Sequence, residues 1–264
     1  MSYKPSYNLL TLRFNIFDTI QRRIRENDFL PIDHGVSKYW SGSDTKKLYQ
    51  KNLLTQPDDW YYRNNPITYT LNSNGYRTHE FKDIDWANSI VIFGCSYVFG
   101  TGLDDKHTIS SQLEEMLNIP VINMGVGGSS MLFNLHNSML LRDGYPTPKA
   151  VIMFWPGYIR IVEYHKYQTQ FYGPWNTEPN SLSDLWLANN NNAIANTMFI
   201  SKTSRLIWQD RCPYYEATWD PDTKKIIECD LIQMLEEDYA RDMMHSGFKS
   251  AKYIAESIAN KLKL

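Results

Sequence analysis

The sequence predicts an α/β fold, a three-layer α/β/α sandwich around a mainly parallel sheet. Between residues 89 and 155, a short apolar strand followed by an amphipathic helix occurs twice before a third strand. A strongly amphipathic helix near the C-terminus can cover the sheet. The length of 264 residues suits one large α/β domain, or one domain with an appendage.

The first strand–helix unit begins at residue 89. Residues 89–93 are an apolar run that Gly94 ends, as expected of a buried strand. The helix predicted over residues 108–118 has its apolar side chains on one face, and Thr108 is its candidate N-cap.

The second unit repeats this order. A strand is predicted over residues 121–124 and runs into the glycine-rich turn 125–128. Ser129 or Ser130 can cap the helix that follows, which is expected to end near Gly144.

The third strand and the last helix complete the predicted layers. Residues 150–155 form an apolar strand that Pro156 and Gly157 end. The last helix is predicted after Ser246 as N-cap, with apolar residues recurring every three or four positions up to Leu262.

These elements divide the chain into two parts. Residues 1–88 lack clean periodicity, contain one helix candidate over residues 14–24, and are expected to pack on or cap the core. Residues 89–264 form the α/β domain, with an aromatic-rich insertion at about 158–229. Within the insertion the pattern favours a helix over 183–201 and a strand near 206–208.

Charge and cysteine content exclude several classes of protein. The 27 Lys and Arg against 29 Asp and Glu give a net charge of −2, so no basic field attracts nucleic acid. The three cysteines include no C-x-x-C pair, which argues against a disulfide framework or a zinc knuckle. The histidines are scattered, and we expect neither a metal nor another cofactor.

The sequence also carries no recognisable targeting or membrane segment. No window reaches about 18 apolar residues, and the N-terminus lacks the apolar core and cleavage site of a signal peptide. We therefore expect no membrane span and a cytoplasmic location.

Candidate catalytic residues follow the strands and precede the last helix. In open α/β sheets, ligands bind outside the carboxyl ends of the strands, where Ser96 and the turn 125–128 lie. A serine nucleophile needs a histidine base, and that base needs a carboxylate to orient it. Asp242 and His245 are three residues apart, which places the carboxylate beside the imidazole. Taken singly, each residue is also a common loop residue.

Three sequence blocks together carry a family resemblance. They are Gly94-Cys95-Ser96-Tyr97 after the first strand, Asn123-x-Gly125-x-x-Gly128 after the second, and Asp242-x-x-His245 before the last helix. In order and spacing they resemble the SGNH (GDSL-like) hydrolase superfamily. The Gly-Cys-Ser form is similar to variants from phage and marine bacteria.

The resemblance implies a flavodoxin-like fold and a role for each matching residue. Ser96 would be the nucleophile, and Asp242 and His245 the other members of the triad. The backbone N–H groups of Ser96 and Gly128 would form part of an oxyanion hole.

Two positions depart from the family pattern. Cys95 stands where the family has an aspartate outside the triad. Tyr158 stands where the family has the oxyanion-hole asparagine. The open candidates for the missing donor are the Tyr158 hydroxyl and the amides of Asn134 and Asn137.

The resemblance implies a serine esterase or acylhydrolase that works through an acyl-enzyme. The substrate expected is a small-molecule or carbohydrate ester, such as an O-acetyl sugar, because tryptophans concentrate in the insertion. Two alternatives stay open: an O-acyltransferase, and a catalytically impaired protein that keeps the scaffold for binding or structure.

Overall fold

The structure, a computed structural model, describes residues 38–164, 169–176 and 190–262. The helix candidate over residues 14–24 and the first part of the helix predicted from residue 183 lie outside these ranges. In chain order the helices and strands are α1 (Lys46–Thr55), β1 (Ile90–Gly94), α2 (Ser96–Phe99), α3 (Ile109–Leu117), β2 (Val121–Gly125), α4 (Met131–Gly144), β3 (Ala150–Trp155), β4 (Ile161–Tyr164), β5 (Thr169–Tyr172), α5 (Asn190–Trp208), β6 (Tyr214–Thr218), α6 (Pro221–Ile226), β7 (Asp230–Leu231) and α7 (Phe248–Ala259).

The central sheet has five parallel strands in the order β2-β1-β3-β6-β7. Gly94 at the end of β1 pairs with Gly125 of β2 on one side and Phe154 of β3 on the other. The carboxyl ends of the three predicted strands therefore meet at one edge, and the predicted parallel sheet is confirmed.

Helices cover both faces of the sheet. Every residue of β1, β2 and β3 is buried, as expected of parallel strands covered on both sides. On one face Val91 and Phe93 pack in the same core as residues of α4 and α5. On the other, Ile90 and Ile92 share a core with residues of α3 and α7. This is the predicted three-layer α/β/α sandwich.

Two local predictions in the second half of the chain are wrong. Residues 206–208 are the end of helix α5, not a strand, because Ile200, Ser204 and Trp208 form one buried helical face. Ser246 is not the N-cap of α7, because it lies in a β-bridge with Tyr239, and Gly247 occupies the cap position. The Asp238 carboxylate, twelve residues before Ser250, accepts that residue's N–H instead.

The N-caps predicted for α3 and α4 are confirmed. Thr108 Oγ1 accepts the N–H of Ser111 at 3.2 Å, and Ser130 Oγ accepts that of Phe133 at 3.3 Å. Both caps hold helices that begin just beyond the carboxyl edge of the sheet.

Residues 38–71 pack against the α3 and α7 side of the sandwich, whereas Tyr76, Phe81 and Trp86 are buried in the core on the α4 and α5 side. Tyr62, Ile67 and Tyr69 are buried in the core that contains Ile90 and Ile92. Residues beyond β3 add a separate antiparallel hairpin, β4–β5, beside the main sheet. None of the helices in the described ranges has the length and apolar character needed to cross a bilayer.

Candidate active site

Ser96 is the first residue of α2, directly beyond the carboxyl end of β1. Gly94 and Gly125 let this short helix approach the sheet, because a Cβ on Gly94 would overlap Val98 and one on Gly125 would overlap the backbone of Phe99. Cys95 is fully buried with a free thiol. The Ser96 side chain is thereby fixed at the sheet edge.

Ser96, His245 and Asp242 form a continuous hydrogen-bond chain. Ser96 Oγ lies 2.8 Å from His245 Nε2, and His245 Nδ1 lies 2.7 Å from Asp242 Oδ2. Because an ionised carboxylate can only accept, the neutral imidazole carries its proton on Nδ1 and accepts from Ser96 Oγ through Nε2. The arrangement can move the serine proton to the histidine.

The Asp242 carboxylate is enclosed and fully hydrogen-bonded. Oδ1 accepts the backbone N–H groups of Met244 and His245, each at 3.0 Å. Burial alone would raise the pKa of Asp242, but the bonds from the His245 side chain, from Ser43 Oγ and from the His245 N–H hold that pKa below its ordinary value of 3.8. Asp242 is therefore ionised and orients the imidazole.

Ser43 is a residue of this site that the sequence reasoning missed. Its Oγ donates to Asp242 Oδ2 at 2.6 Å, the same oxygen that accepts from His245. Ser43 lies 199 positions from Asp242, so no local spacing links the two.

A buried ion pair holds the turn that carries Ser43. Arg241 Nη2 donates to Asp44 Oδ2 at 2.7 Å, and the hydroxyl of Tyr69 donates to the same carboxylate. Asp44 follows Ser43, and Arg241 precedes Asp242. The ion pair therefore fixes both ends of the Ser43–Asp242 hydrogen bond.

Gly128 is the second backbone donor that the resemblance implies. Its φ of +77° is in the left-handed region that favours glycine. Within the described ranges, neither the Gly128 N–H nor the Ser96 N–H has a protein acceptor. Both residues line the same cleft, so both groups are available to an oxygen bound there.

The three side chains singled out for the third donor do not line this cleft. Tyr158 donates from its hydroxyl to Asn190 Oδ1 at 2.9 Å, and its N–H bonds Thr223. Asn134 is fully buried within α4, where its Nδ2 donates to the Ser130 carbonyl at 3.1 Å. Asn137 Nδ2 donates to the hydroxyl of Tyr76. None of the three lines the cleft.

The cleft around Ser96 has a volume of about 660 Å³, within the range of small-molecule sites. The hairpin side contributes Phe171 and Trp175, and the N-terminal segment contributes Ser43 and Leu71. In the described part of the chain, no three His, Cys, Asp or Glu side chains lie close enough to share a metal ion.

The tryptophans of the second half have different positions. Trp155 and Trp208 are fully buried core residues. Trp175 lines the cleft, and Trp219 packs 5.0 Å from the ring of Tyr97, which in turn contacts His245. Trp186, another tryptophan of the insertion, lies outside the described residues.

Comparison with known proteins found similar solved structures. No family model and no curated protein matches. An acetyl xylan esterase from Butyrivibrio proteoclasticus is 12% identical, with 67% of this chain and 64% of that chain covered and a TM-score of 0.43. A putative lipolytic protein of the G-D-S-L family from Desulfitobacterium hafniense is 13% identical, with 66% and 99% covered and a TM-score of 0.43.

A third solved structure is a carbohydrate esterase family 2 enzyme with a carbohydrate-binding domain, from Corynascus thermopiles. It is 12% identical, with 66% of this chain and 65% of that chain covered and a TM-score of 0.44. AlinE4, described as an SGNH-hydrolase family esterase, is 16% identical, with 68% of this chain and 96% of that chain covered and a TM-score of 0.36. This chain spans slightly less than two thirds of the length of the two carbohydrate esterases.

Proposed function

We propose that this protein is a serine esterase of the SGNH type that cleaves an ester through an acyl-enzyme. One observation carries the proposal: the Ser96–His245–Asp242 hydrogen-bond chain lies in a cleft with two open backbone donors, the N–H groups of Ser96 and Gly128. Nucleophile, base, orienting carboxylate and oxyanion donors are the parts that acyl transfer requires.

In the first half-reaction, Ser96 Oγ attacks the ester carbonyl carbon while His245 Nε2 takes the hydroxyl proton. Asp242 stabilises the imidazolium that forms. The carbonyl oxygen becomes an oxyanion and accepts the N–H groups of Ser96 and Gly128. The tetrahedral intermediate then breaks its bond to the alcohol oxygen, which takes the proton from His245 and leaves.

In the second half-reaction, His245 takes a proton from water as the water oxygen attacks the acyl carbon. The bond to Ser96 Oγ breaks, Oγ recovers the proton, and the carboxylic acid leaves. With two oxyanion donors instead of three, turnover is expected to be about 10²–10³ slower than with a complete set, since removing one donor costs that much.

The finer proposal for the substrate is a carbohydrate O-acetyl or another small acyl ester. Its support is the wall of the cleft, where Phe171 and Trp175 offer aromatic faces of the kind that pack against apolar sugar faces. None of the described side chains Tyr158, Asn134 and Asn137 supplies the third oxyanion donor, which supports one alternative, a scaffold that binds such ligands without turning them over.

Hydrolysis of 4-nitrophenyl acetate tests the proposal. Ser96→Ala and His245→Gln are each expected to lower kcat by at least about 10³-fold, because triad members act as a unit. Ser257→Ala, which removes an exposed hydroxyl from α7, is the matched control. Thermal unfolding of each variant shows whether the fold is retained.

Activity of Ser96→Ala within tenfold of the natural protein would contradict serine catalysis. If the natural protein itself turns over neither aryl esters nor acetylated xylo-oligosaccharides, the binding scaffold becomes the better description. Acyl transfer to an added alcohol that outruns hydrolysis would identify a transferase.

A further inference from the structure

Arg160 stands out in the wall of the cleft because no carboxylate or other hydrogen-bond acceptor among the described residues pairs with its charge. It precedes β4, and its guanidinium carbon lies 5.1 Å from the ring centre of Trp175 and 5.6 Å from that of Trp219. Its Nη1 is buried and has no hydrogen-bond acceptor in the described ranges. The two indoles hold the guanidinium in place, and no described residue accepts its N–H groups.

Two buried arginines direct most of their guanidinium donors to acceptors of the protein, although Arg77 Nε, like Arg160 Nη1, has no hydrogen-bond acceptor in the described ranges. Arg241 is paired with the Asp44 carboxylate. Arg77 donates to the backbone carbonyls that surround the end of α2, namely those of Phe99, Gly100 and Leu103. A buried charged donor without an acceptor is costly. Arg160 therefore has the environment of a group whose acceptor is a ligand.

The charge of the cleft favours an anionic ligand. Among the described residues that line it, the ionisable side chains are Lys38, Arg160 and His245, and none is a carboxylic acid. The nearest acid of the site, Asp242, is fully buried behind His245 and already accepts four hydrogen bonds. The charged side chains among these, Lys38 and Arg160, are both cationic, and a positively charged cleft attracts anions.

Arg160 lines the same cleft as the reacting groups Ser96 and His245. Trp175, which packs on Arg160, lies 3.6 Å from the position that a Cβ on Gly128 would take. Burial raises the pKa of Tyr97, the ring against His245, to about 12, and the positive charge of Arg160 opposes that rise. Arg160 thus shares the cleft with the Gly128 oxyanion donor and with His245.

We propose that Arg160 is an anion subsite and that the cleft selects esters whose acyl or alcohol part carries a carboxylate. This inference rests on the proposed esterase function. The guanidinium fork can donate two parallel N–H bonds to a carboxylate, which a neutral ester lacks. Such a subsite fixes the ester relative to Ser96.

Two matched substrate pairs test this inference. In the first, 4-nitrophenyl hydrogen succinate is compared with its methyl ester, so that only the carboxylate on the acyl part differs. In the second, 4-acetoxybenzoate is compared with methyl 4-acetoxybenzoate, so that the carboxylate is on the alcohol part. For at least one pair, Arg160→Gln is expected to lower the acid-to-methyl-ester ratio of kcat/KM by about 10–100-fold.

Two further variants show whether the change in ratio depends on the position of the charge and on the geometry of the guanidinium. Arg211→Gln removes the same charge from an exposed position just before β6, and it is expected to leave both ratios at their original values. Arg160→Lys keeps the charge but loses the planar fork of donors. Its acid-to-methyl-ester ratio should therefore lie between those of the natural protein and of Arg160→Gln. If Arg160→Gln remains folded and shifts neither ratio by more than twofold, the subsite is refuted. If Arg160→Gln does not fold, the same twofold limit is applied to the ratios of Arg160→Lys.

Binding to the Ser96→Ala protein separates this inference from the proposed function. Calorimetry with monomethyl and dimethyl succinate should show tighter binding of the acid, and Arg160→Gln in the same background should remove that preference. Equal hydrolysis of acid and methyl esters would leave the esterase intact and remove the subsite. If the natural protein turns over no ester but the Ser96→Ala protein still binds monomethyl succinate more tightly than dimethyl succinate, the subsite is supported and the proposed esterase function is contradicted.

Discussion

The hydroxyl of Ser43 is predicted to support catalysis through Asp242, without touching the substrate. Ser43→Ala removes one of four hydrogen bonds on that carboxylate, the 2.6 Å bond to Oδ2. The remaining three still hold Asp242 against His245. The variant is therefore expected to loosen the orientation of the imidazole without breaking the chain.

The size of the effect follows from the kind of bond. A hydrogen bond to an ionised group contributes about 1.5–3 kcal/mol. Ser43 borders the cleft, so water can replace part of the lost bond, and the lower end of that range applies. Since about 1.4 kcal/mol is tenfold, kcat should fall roughly three- to tenfold, with KM unchanged.

Steady-state kinetics on 4-nitrophenyl acetate measures this effect, and two variants control it. Ser41→Ala removes a hydroxyl from the same turn, one that makes no side-chain hydrogen bond in the described part of the chain. Ser43→Thr keeps the hydroxyl and should restore kcat. A Ser43→Ala protein with kcat within twofold of the natural enzyme would refute this positioning role.

The pH dependence of unfolding gives an independent readout. The pKa of Asp242 is held below 3.8 in the folded protein, partly by Ser43, so this carboxylate stabilises the fold above that pH. The stabilisation is lost as the pH falls through the folded pKa. The advantage of the natural protein over Ser43→Ala in free energy of unfolding should therefore be present at neutral pH and shrink in acid. An advantage that is constant with pH would contradict the bond to an ionised Asp242.

Two further predictions concern the oxyanion donor and the ion pair. Gly128→Ala places a Cβ 3.6 Å from Phe171 and Trp175 without overlap, but an alanine in the left-handed conformation costs about 1–2 kcal/mol. The turn should therefore shift, and kcat for 4-nitrophenyl acetate should fall by up to about 10²–10³-fold. Unchanged kcat would remove Gly128 from the mechanism. Asp44→Asn leaves the buried Arg241 without its carboxylate and should lower the free energy of unfolding in urea by about 3–5 kcal/mol. A loss below 1 kcal/mol would show that the pair does not hold the segment to the core.

The fold was predictable where the signal is local. The apolar strands that end at Gly94 and Gly125, and the caps at Thr108 and Ser130, are read from a few neighbouring residues, and the structure confirms them. Residues 206–208 were wrongly predicted as a strand, because a short apolar run does not show whether its apolar residues follow the period of a strand or that of a helix. Only the buried face of α5 shows that they continue a helix.

The residues of the site also fall into two groups, those that the local sequence indicates and those that it does not. Ser96, Asp242 and His245 could be singled out because each lies beside a recognisable strand end or in a short spacing, and the structure brings them within hydrogen-bond distance. Ser43 could not be found, since it approaches Asp242 only when the N-terminal segment packs on the domain. Arg160 was missed because a lone arginine after a strand carries no signal until its neighbours are known.

Covalent trapping of Ser96 tests the central claim most directly. A fluorophosphonate reacts with a serine only when a base activates the hydroxyl and donors stabilise the oxyanion that forms. After incubation and digestion, peptide mass spectrometry should find a single adduct on Ser96, absent from the Ser96→Ala and His245→Gln proteins. No adduct on Ser96, under conditions that label a known serine esterase completely, would contradict the account.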